Sequence, residues 1–386
     1  MKRSRTARSG KIPGDASRLL RSRSDGMKKA YLPVSSRRAR STSSNRRYAL
    51  TIHVGVDLHQ RFCYVTAVDA SGKLLASKSL PNDASVIQSW LQGLSGPAQV
   101  VMEACGFWPA FRRAVEPVAE RVVMVHPARV KAIAAARLKN DRVDSATLAH
   151  LSRCDLLPQA WMADPQTQQL RLCVRLRVRL GQQRARLKNL LQAVLHQEGL
   201  RKPVSDLFGV RGRQWLAGVA LSAAGRAVVD TYLGLIAQLD SILVAKTREL
   251  AKMAEVDERA RWLQTIPGIG AYSAMVILAE IGDITRFHDK KALASYAGLV
   301  PRVRQSAGKR SYGAISKQGS ETLRWIMLQV AQVAARYAPA ARTYYQRLRR
   351  RKPPQVAKVA LARKLLTAIW VLLHHGVCYD DQLFAG

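Results

Sequence analysis

Two short apolar runs that each end on a carboxylate constrain the fold of this chain more than any other feature. Residues 51–57 read TIHVGVD, and residues 99–103 read QVVME. Both runs have the length and the apolar composition of buried strands. In open α/β sheets, ligands bind at the carboxyl ends of the strands. The pattern therefore predicts a sheet that presents Asp57 and Glu103 at a functional edge.

A third acidic motif lies at residues 139–144, which read KNDRVD. Asp141 and Asp144 are three residues apart, so they share one face of the predicted helix. With Asp57 and Glu103 they would form a cluster of four carboxylates, and Mg²⁺ or Mn²⁺ prefers such oxygen ligands. Alternatively, each acid is simply solvated at the end of its strand or helix. The cluster is favoured because the chain has only 26 acidic residues against 63 lysines and arginines.

Residues 51–160 have the element pattern of an α/β domain. Their apolar periodicity predicts three strands, a helix, a strand, a helix, a strand and a helix. A mixed sheet flanked by helices is the expected outcome. This order, together with the positions of the acids, resembles the ribonuclease H-like fold of Holliday-junction resolvases such as RuvC.

The charge of the chain is strongly positive. A net charge of +37 points to a polyanionic partner, most simply nucleic acid. No run reaches the roughly 18 apolar residues of a membrane span, so we expect no membrane. Five scattered cysteines without a CxxC pair favour a reducing cytoplasm over disulfides or a zinc site.

Residues 1–50 carry 15 lysines or arginines and lack a long apolar core. We therefore predict a disordered basic arm rather than a signal peptide. The arm would either add phosphate contacts or have no specific role.

Residues 161–258 have the pattern of two long helices. The first, over residues 166–200, interleaves arginines with leucines, and the second runs from about Arg226 to Met253. Apolar positions in the second helix step by three, four and seven residues, as in coiled coils. The pair would form an antiparallel hairpin or a coiled coil between subunits, with an ordinary helical linker as the plainer alternative. We favour the dimerising coiled coil.

Residues 259–386 are predicted to form a mainly α-helical domain. The segment IPGIG at residues 266–270, followed by an apolar helix, matches the hairpin of helix-hairpin-helix DNA-binding proteins. Gly268 and Gly270 would let backbone N–H groups approach a phosphate at the helix N-terminus. A plain tight turn is the alternative, and the basic composition favours the phosphate contact.

A small, polar and basic stretch at residues 295–325 begins with Ser295 and contains four further serines, namely Ser306, Ser311, Ser316 and Ser320. Ser306 precedes an Ala-Gly pair and then two cations. An exposed serine beside cations can attack a phosphodiester, and the cations stabilise the resulting charge. No histidine is adjacent, so a metal or the DNA itself would have to assist. The spacing alone favours a phosphate-binding polar loop.

Several long motifs in a fixed order resemble the DEDD transposases of the insertion-sequence-110 family, which also includes the Piv-type DNA invertases. The matching segments are VGVDLHQ at Val54, VVMEACG at Val100, KNDRVDSATLA at Lys139, IPGIGAYSAMVILAEIGD at Ile266 and YAGLVPRVRQSAGKRSYGAISKQGSETLR at Tyr296. The resemblance covers essentially residues 52–375, and the basic arm is outside it.

The resemblance implies three domains after the arm. A RuvC-like domain would span residues 51–160, a coiled-coil or helical linker residues 161–258, and a transposase domain with a catalytic serine residues 259–386. It also implies a structured guide RNA transcribed from the end of the mobile element.

The resemblance assigns site residues as well. The acids that would hold divalent metal are Asp57, Glu103, Asp141 and Asp144. Ser306 would attack DNA covalently. It lies in QSAG, where a small-residue pattern such as SSG or QSG is expected, and this departure keeps Ser316 open as the alternative.

We therefore expect a bacterial, cytoplasmic and nucleoid-associated recombinase that moves an insertion sequence. Six cations near Ser306 would clamp DNA phosphates, namely Arg302, Arg304, Lys309, Arg310, Lys317 and Arg324. Recombination joins four DNA strands, so we expect a dimer or a tetramer. Two alternatives are a metal-dependent nuclease or resolvase that uses water, and a non-catalytic nucleic-acid-binding protein with structural acids.

Overall fold

A computed structural model of the chain describes residues 51–134, 140–306 and 309–381, with the side chains of these residues except at 304–306, 309, 310 and 312. The predicted basic arm, residues 1–50, and Lys139 of the third acidic motif lie outside the described residues. The chain divides into two compact units that meet in sequence between Ala160 and Trp161.

The N-terminal unit contains a five-stranded mixed sheet in the order β3-β2-β1-β4-β5. Its strands are β1 Ile52–Leu58, β2 Phe62–Val68, β3 Leu74–Pro81, β4 Ala98–Glu103 and β5 Arg121–Val125. Its helices are α1 Ala84–Gln92, α2 Trp108–Val115, α3 Pro127–Ile133 and α4 Asp141–Arg153. β1 pairs antiparallel with β2 and parallel with β4. The predicted mixed sheet is confirmed, and it is consistent with the ribonuclease H-like fold.

Helix α4 packs directly against the central strand β1. A Cβ atom on Gly55 would lie 1.9 Å from the carbonyl oxygen of Ser145, so only glycine permits this approach. The Ser145 hydroxyl lies 2.8 Å from Thr66 Oγ1, and Ser152 Oγ lies 2.9 Å from His53 Nδ1. These contacts fix the position of the helix that begins with the third acidic motif.

The C-terminal unit begins with a pair of long helices. They are α5 Pro165–Gln197 and α7 Ala223–Val256, with the short α6 Val210–Gly218 between them. Arg177 bonds with Thr247, and Arg184 bonds with Asp240, so the two long helices run antiparallel. The helices therefore form a hairpin within one chain, and the dimerising coiled coil stays a prediction.

By length and mean hydropathy, α7 is the one helix in the described part of the chain that could cross a membrane. Four of its apolar residues recur every seven positions and are buried in the fold, namely Val229, Ile236, Leu243 and Leu250. The ion pair of Asp240 with Arg184, 2.7 Å long, lies on the same helix. Packing in the helical hairpin therefore explains this apolar stripe. The length and mean hydropathy of α7 are by themselves weak evidence that it crosses a membrane.

The remaining helices form the main core of the C-terminal unit. They are α8 Glu258–Gln264, α9 Ala271–Ile281, α10 Lys290–Tyr296, α11 Glu321–Tyr337, α12 Pro339–Arg349 and α13 Pro354–His375. Residues 273–281 of α9 are all buried, so this helix is the centre of the core. The α8–turn–α9 arrangement has the element order of the predicted helix-hairpin-helix.

A two-stranded antiparallel hairpin interrupts the helices where we predicted only a polar loop. Its strands are β6 Pro301–Ser306 and β7 Lys309–Ile315. Small, basic and polar residues hid the alternation that identifies a strand, because neither face is strongly apolar. The mainly α-helical prediction holds for the unit otherwise.

Candidate metal centre and serine hairpin

Two of the predicted acids leave the sheet on neighbouring parallel strands. Val56 of β1 pairs with Met102 of β4, so the next residue on each strand is an acid. Asp57 is the penultimate residue of β1, and Glu103 is the last residue of β4. The parallel register therefore brings both carboxylates to one edge, as the sequence predicted.

The other two acids lie in the first turn of α4. Asn140 caps this helix, because its side-chain oxygen accepts a 2.8 Å hydrogen bond from the Val143 N–H. Burial raises the pKa of Asp57 above its usual value, and the charges of Asp141 and Asp144 add to the rise. Three of the four predicted acids therefore repel one another electrostatically at the end of β1.

His59 completes a cluster with two of these acids. Its Nε2 atom lies 3.3 Å from Asp57 Oδ2 and 3.5 Å from Asp141 Oδ1. The three ligand atoms all lie within 4.8 Å of one another. Glu103 and Asp144 are described, but they do not belong to this group of ligand atoms within 4.8 Å.

The cluster has the composition of a divalent-metal site. Two carboxylates supply hard oxygen ligands, and an imidazole supplies a nitrogen ligand. A cation would offset both the burial that mainly raises the pKa of Asp57 and the repulsion that adds to it. The residues present therefore fit a bound divalent ion.

Ser306 lies at the end of the β6–β7 hairpin. Its backbone pairs with Lys309, so only residues 307 and 308 separate the two strands at the tip. The side chains of Ser306, Arg304, Lys309 and Arg310 lie outside the described residues. Arg302 is described, and it is exposed on β6.

The alternative nucleophile, Ser316, is held in the fold. Its N–H donates a 2.8 Å hydrogen bond to the Val300 carbonyl. Its Oγ atom is buried, with no hydrogen-bond partner among the described residues. In this conformation the Ser316 hydroxyl is not presented to a DNA phosphate.

Two of the predicted phosphate contacts, Arg324 and Lys317, differ in how their side chains are engaged. Nη1 of Arg324 donates to the carbonyl oxygens of Ala297 and Lys317, both at 3.2 Å. Lys317 has a positive φ of 55° and an exposed side chain. The exposed side chain of Lys317 can therefore contact phosphate. In contrast, one nitrogen of the Arg324 guanidinium is already bonded to the backbone of the turn.

The two glycines of the predicted phosphate turn differ in their surroundings. Gly268 has φ +98°, and a Cβ atom there would lie 3.2 Å from the backbone of α11 at Val330 and Ala334. Gly270 is exposed and is the N-cap of α9, with no side-chain cap bond. Gly268 therefore has a turn and packing role, and the N-terminus beside Gly270 is the better candidate for a phosphate contact.

A buried carboxylate that the sequence did not reveal connects three parts of the C-terminal unit. Glu280 of α9 accepts two hydrogen bonds from Arg175 of α5, at 2.8 and 3.0 Å. Ser320, the N-cap of α11, also donates to Glu280 at 2.8 Å. Burial alone would raise the pKa of Glu280, but the bonds and charge of Arg175 outweigh burial and lower it.

Comparisons with known proteins match both units. A family model described as a transposase, for the DEDD group of insertion sequence IS110, matches residues 54–199. A second model, described as the transposase IS116/IS110/IS902 family, matches residues 260–346. The chain belongs to the insertion-sequence-110 family of transposases. As a family member it is a DNA transposase enzyme.

Relatives of this transposase extend along most of the chain. The transposase for insertion sequence element IS1111A of Coxiella burnetii is 26% identical over 332 residues, 83% of this chain and 89% of the relative. The transposase for IS1328 of Yersinia enterocolitica is 26% identical over 345 residues, 85% of this chain and 98% of the relative. The pilin gene-inverting protein of Moraxella bovis is 34% identical over 133 residues, 33% of this chain and 41% of that protein.

The family models cover both groups of site residues in this transposase. All four predicted metal-binding acids lie in the first matched segment, and Ser306 lies in the second. Sequence reasoning missed His59 and Glu280. The signal for His59 was its place two residues after Asp57 at a hairpin turn, and the signal for Glu280 was a lone acid within an apolar helix.

Proposed function

We propose that this transposase moves an insertion sequence by metal-assisted cleavage and exchange of DNA strands, with a covalent link to Ser306. The observation that carries the metal part is the convergence of Asp57 with Asp141 at the carboxyl end of β1. Burial raises the pKa of Asp57 most, the charges of Asp141 and Asp144 add to the rise, and His59 opposes it; a cation would offset both the burial and the repulsion.

The acids would hold the cation, and the fold would position them. Asp57 and Asp141 belong to the cluster with His59, while Glu103 ends the neighbouring strand and Asp144 lies with Asp141 in the first turn of α4. A bound Mg²⁺ or Mn²⁺ supplies Lewis-acid stabilisation of the charge that develops on the phosphate. The tight contact of α4 with Gly55 keeps the acids of α4 close to the acid of β1.

Ser306 would supply the nucleophile. Its hydroxyl oxygen would bond to phosphorus as the bond to a deoxyribose oxygen breaks; the serine proton would be lost to solvent, and the deoxyribose oxygen would take up a proton and leave as a hydroxyl. The phosphoserine link would retain the bond energy for rejoining. Its place beside the hairpin tip and the buried hydroxyl of Ser316 favour Ser306 as the attacking residue.

The partners we propose are DNA, a structured guide RNA and further copies of the chain. The net charge of +37 suits extensive phosphate contacts. The cations proposed for this purpose are Arg302, Arg304, Lys309, Arg310, Lys317 and Arg324, together with the α9 N-terminus at Gly270. The reducing cytoplasm of a bacterium, at the nucleoid, is the proposed compartment.

Single substitutions at the acids test the metal part of this proposal. Asp57→Asn, Glu103→Gln and Asp144→Asn should each abolish strand exchange and the thermal stabilisation produced by Mg²⁺ or Mn²⁺. In EDTA, Asp57→Asn should melt at a higher temperature than the wild type, because a repelled and partly buried charge is removed. Glu120→Gln, at an exposed acid of the same unit, is the matched control and should change neither readout. Metal-dependent exchange at the wild-type rate by an acid variant would exclude that residue.

A water-using metal nuclease is the second candidate function. The acid and histidine cluster by itself could activate a water molecule for phosphodiester cleavage. Cleavage without a protein–DNA link would favour that function over the recombinase.

A further inference from the structure

His59 is placed so that one ring nitrogen faces the oxygens of two proposed metal ligands. Nε2 is 3.3 Å from Asp57 Oδ2 and 3.5 Å from Asp141 Oδ1. Ligands in adjacent positions on an octahedral ion, each about 2.1 Å from it, lie about 3 Å apart. The distances from His59 Nε2 to the two carboxylate oxygens therefore exceed that spacing by only a few tenths of an ångström.

One ring contact orients the imidazole of His59, and two hydrogen bonds fix the His59 backbone. Its ring stacks on Phe62 of β2, with centroids 4.6 Å apart and an interplanar angle of 22°. The backbone N–H of His59 donates to the Phe62 carbonyl at 3.0 Å, and Asn82 Nδ2 donates to the backbone carbonyl of His59 at 2.9 Å. A side chain orientated by its surroundings needs little reorganisation to bind a ligand.

We propose that His59 is a nitrogen ligand of the metal centre and that it makes the centre bind Mn²⁺ in preference to Mg²⁺. The inference rests on the proposed function, since it concerns the same site. Mg²⁺ strongly prefers oxygen ligands, whereas transition metals accept imidazole nitrogen. An all-carboxylate site would lack that discrimination.

The test uses the full-length chain freed of nucleic acid and loaded with Mn²⁺ alone. Pulsed electron paramagnetic resonance should detect ¹⁴N modulation of the Mn²⁺ signal, and labelling the histidines with ¹⁵N should change its frequency. His59→Gln should remove the modulation. It should weaken Mn²⁺ binding at least about tenfold, since even outer-shell partners cost that much, and should change Mg²⁺ binding by less than about twofold.

A matched control and a fold measurement accompany the variant. His150→Gln changes an exposed histidine of α4 in the same unit and should leave the spectrum unchanged. Circular dichroism of His59→Gln should match the wild type, because the His59 side chain is 42% exposed. The ¹⁴N modulation of Mn²⁺ in the wild-type chain tests for a nitrogen ligand even if the variant does not fold.

The outcomes separate this inference from the proposed metal centre. Bound Mn²⁺ without nitrogen modulation would overturn the role of His59 and leave the carboxylate site standing. Modulation that survives His59→Gln would also overturn it, because another histidine would then be the ligand. A wild-type chain that binds neither Mn²⁺ nor Mg²⁺ would overturn the metal centre as a whole.

Discussion

Gly55, in the middle of β1, has no room for a side chain. A Cβ atom there would lie 1.9 Å from the Ser145 oxygen and 2.6 Å from the Ala149 nitrogen, both in the backbone of α4. Backbone atoms of a packed helix cannot move aside as the end of a flexible side chain can. This single position therefore controls how closely the helix with two of the acids approaches the strand with the first.

Gly55→Ala should lower the stability of the N-terminal unit by about 3 kcal/mol, the upper part of the usual range for an overpacked interior. Hydrogen exchange of the β1 and α4 amides is the measurement, because it reports on this unit alone. Gly93→Ala is the matched control, since Gly93 has a helical φ and its nearest neighbours would be 3.5 Å away. Equal protection in the two variants would show that α4 can shift without loss.

The acids were predictable from the sequence because their positions follow from local pattern. An apolar strand that ends on an acid places that acid at the sheet edge, whatever the rest of the fold does. His59 was not predicted, since its role depends on the tight turn that folds it back over Asp57 and toward α4. A contact between a turn and a distant helix leaves no periodic pattern in the sequence, so it cannot be predicted from periodicity.

Among the secondary-structure elements, α9 shows best how burial and charge compete. Glu280 is fully buried in this helix, and its partner Arg175 has a side chain that is 45% exposed. Removing one member of such a pair leaves the other without its partner. The pair, together with Ser320, ties the basic helix α5 to the N-terminus of α11.

Glu280→Gln should destabilise the C-terminal unit by about 3 kcal/mol, the lower end for a broken buried ion pair, because Arg175 can be rehydrated. The lowered pKa of Glu280 adds a pH dependence. Its stabilisation is present above the unfolded pKa and is lost as the pH falls through the lower folded pKa. The free energy of unfolding of the variant should therefore fall less at acid pH than that of the wild type.

Chemical unfolding at several pH values, followed by hydrogen exchange in α9 and α11, measures both effects. Asp240→Asn is the control, because its pair with Arg184 is partly exposed and should contribute less than about 1 kcal/mol. A Glu280→Gln stability equal to that of the control would contradict the structural role of Glu280.

The long hairpin carries a second apolar stripe that is not buried. Val228, Leu235 and Ile242 of α7 recur every seven residues and are 39%, 41% and 43% exposed. Such heptad spacing supports the predicted coiled coil between subunits. Leu235→Lys should therefore lower the mass seen in sedimentation, while Val244→Lys, off the stripe, should leave it unchanged. A wild-type chain that sediments as a monomer would contradict the predicted dimer.

The helical elements were largely predictable, and the β6–β7 hairpin was not. Helices α5 and α7 carry apolar residues at regular intervals over more than eight turns, so their pattern is unmistakable. The hairpin has two short polar strands, and the side chains described in them are exposed or half-buried. Pairing between the strands, which leaves no apolar alternation in the sequence, defines this element.

At the scale of the whole molecule, the dominant property is charge. A net charge of +37 predicts nucleic-acid binding that weakens steeply with salt, because each neutralised phosphate releases counterions. Deleting residues 1–50 removes 15 lysines or arginines. The deletion should make the salt slope shallower and leave the target sequence unchanged, as fluorescence titrations at several salt concentrations would show. A changed target sequence would mean that the arm reads bases or guide RNA.

Covalent trapping on DNA addresses the chemistry of the whole transposase. The substrate is a nicked duplex that retains the cleaved strand on the protein, and peptide mapping then identifies the modified residue. Ser306→Ala should lose the adduct and keep DNA and RNA binding, because only one hydroxyl is removed. Ser316→Ala is the matched control and should retain the adduct, at least in part.

We predict an adduct on Ser306 in the wild type and in Ser316→Ala, and none in Ser306→Ala. An adduct on Ser316, or one that survives Ser306→Ala, would assign the nucleophile elsewhere. Cleavage without any serine adduct would contradict the covalent mechanism and would identify a nuclease that uses water.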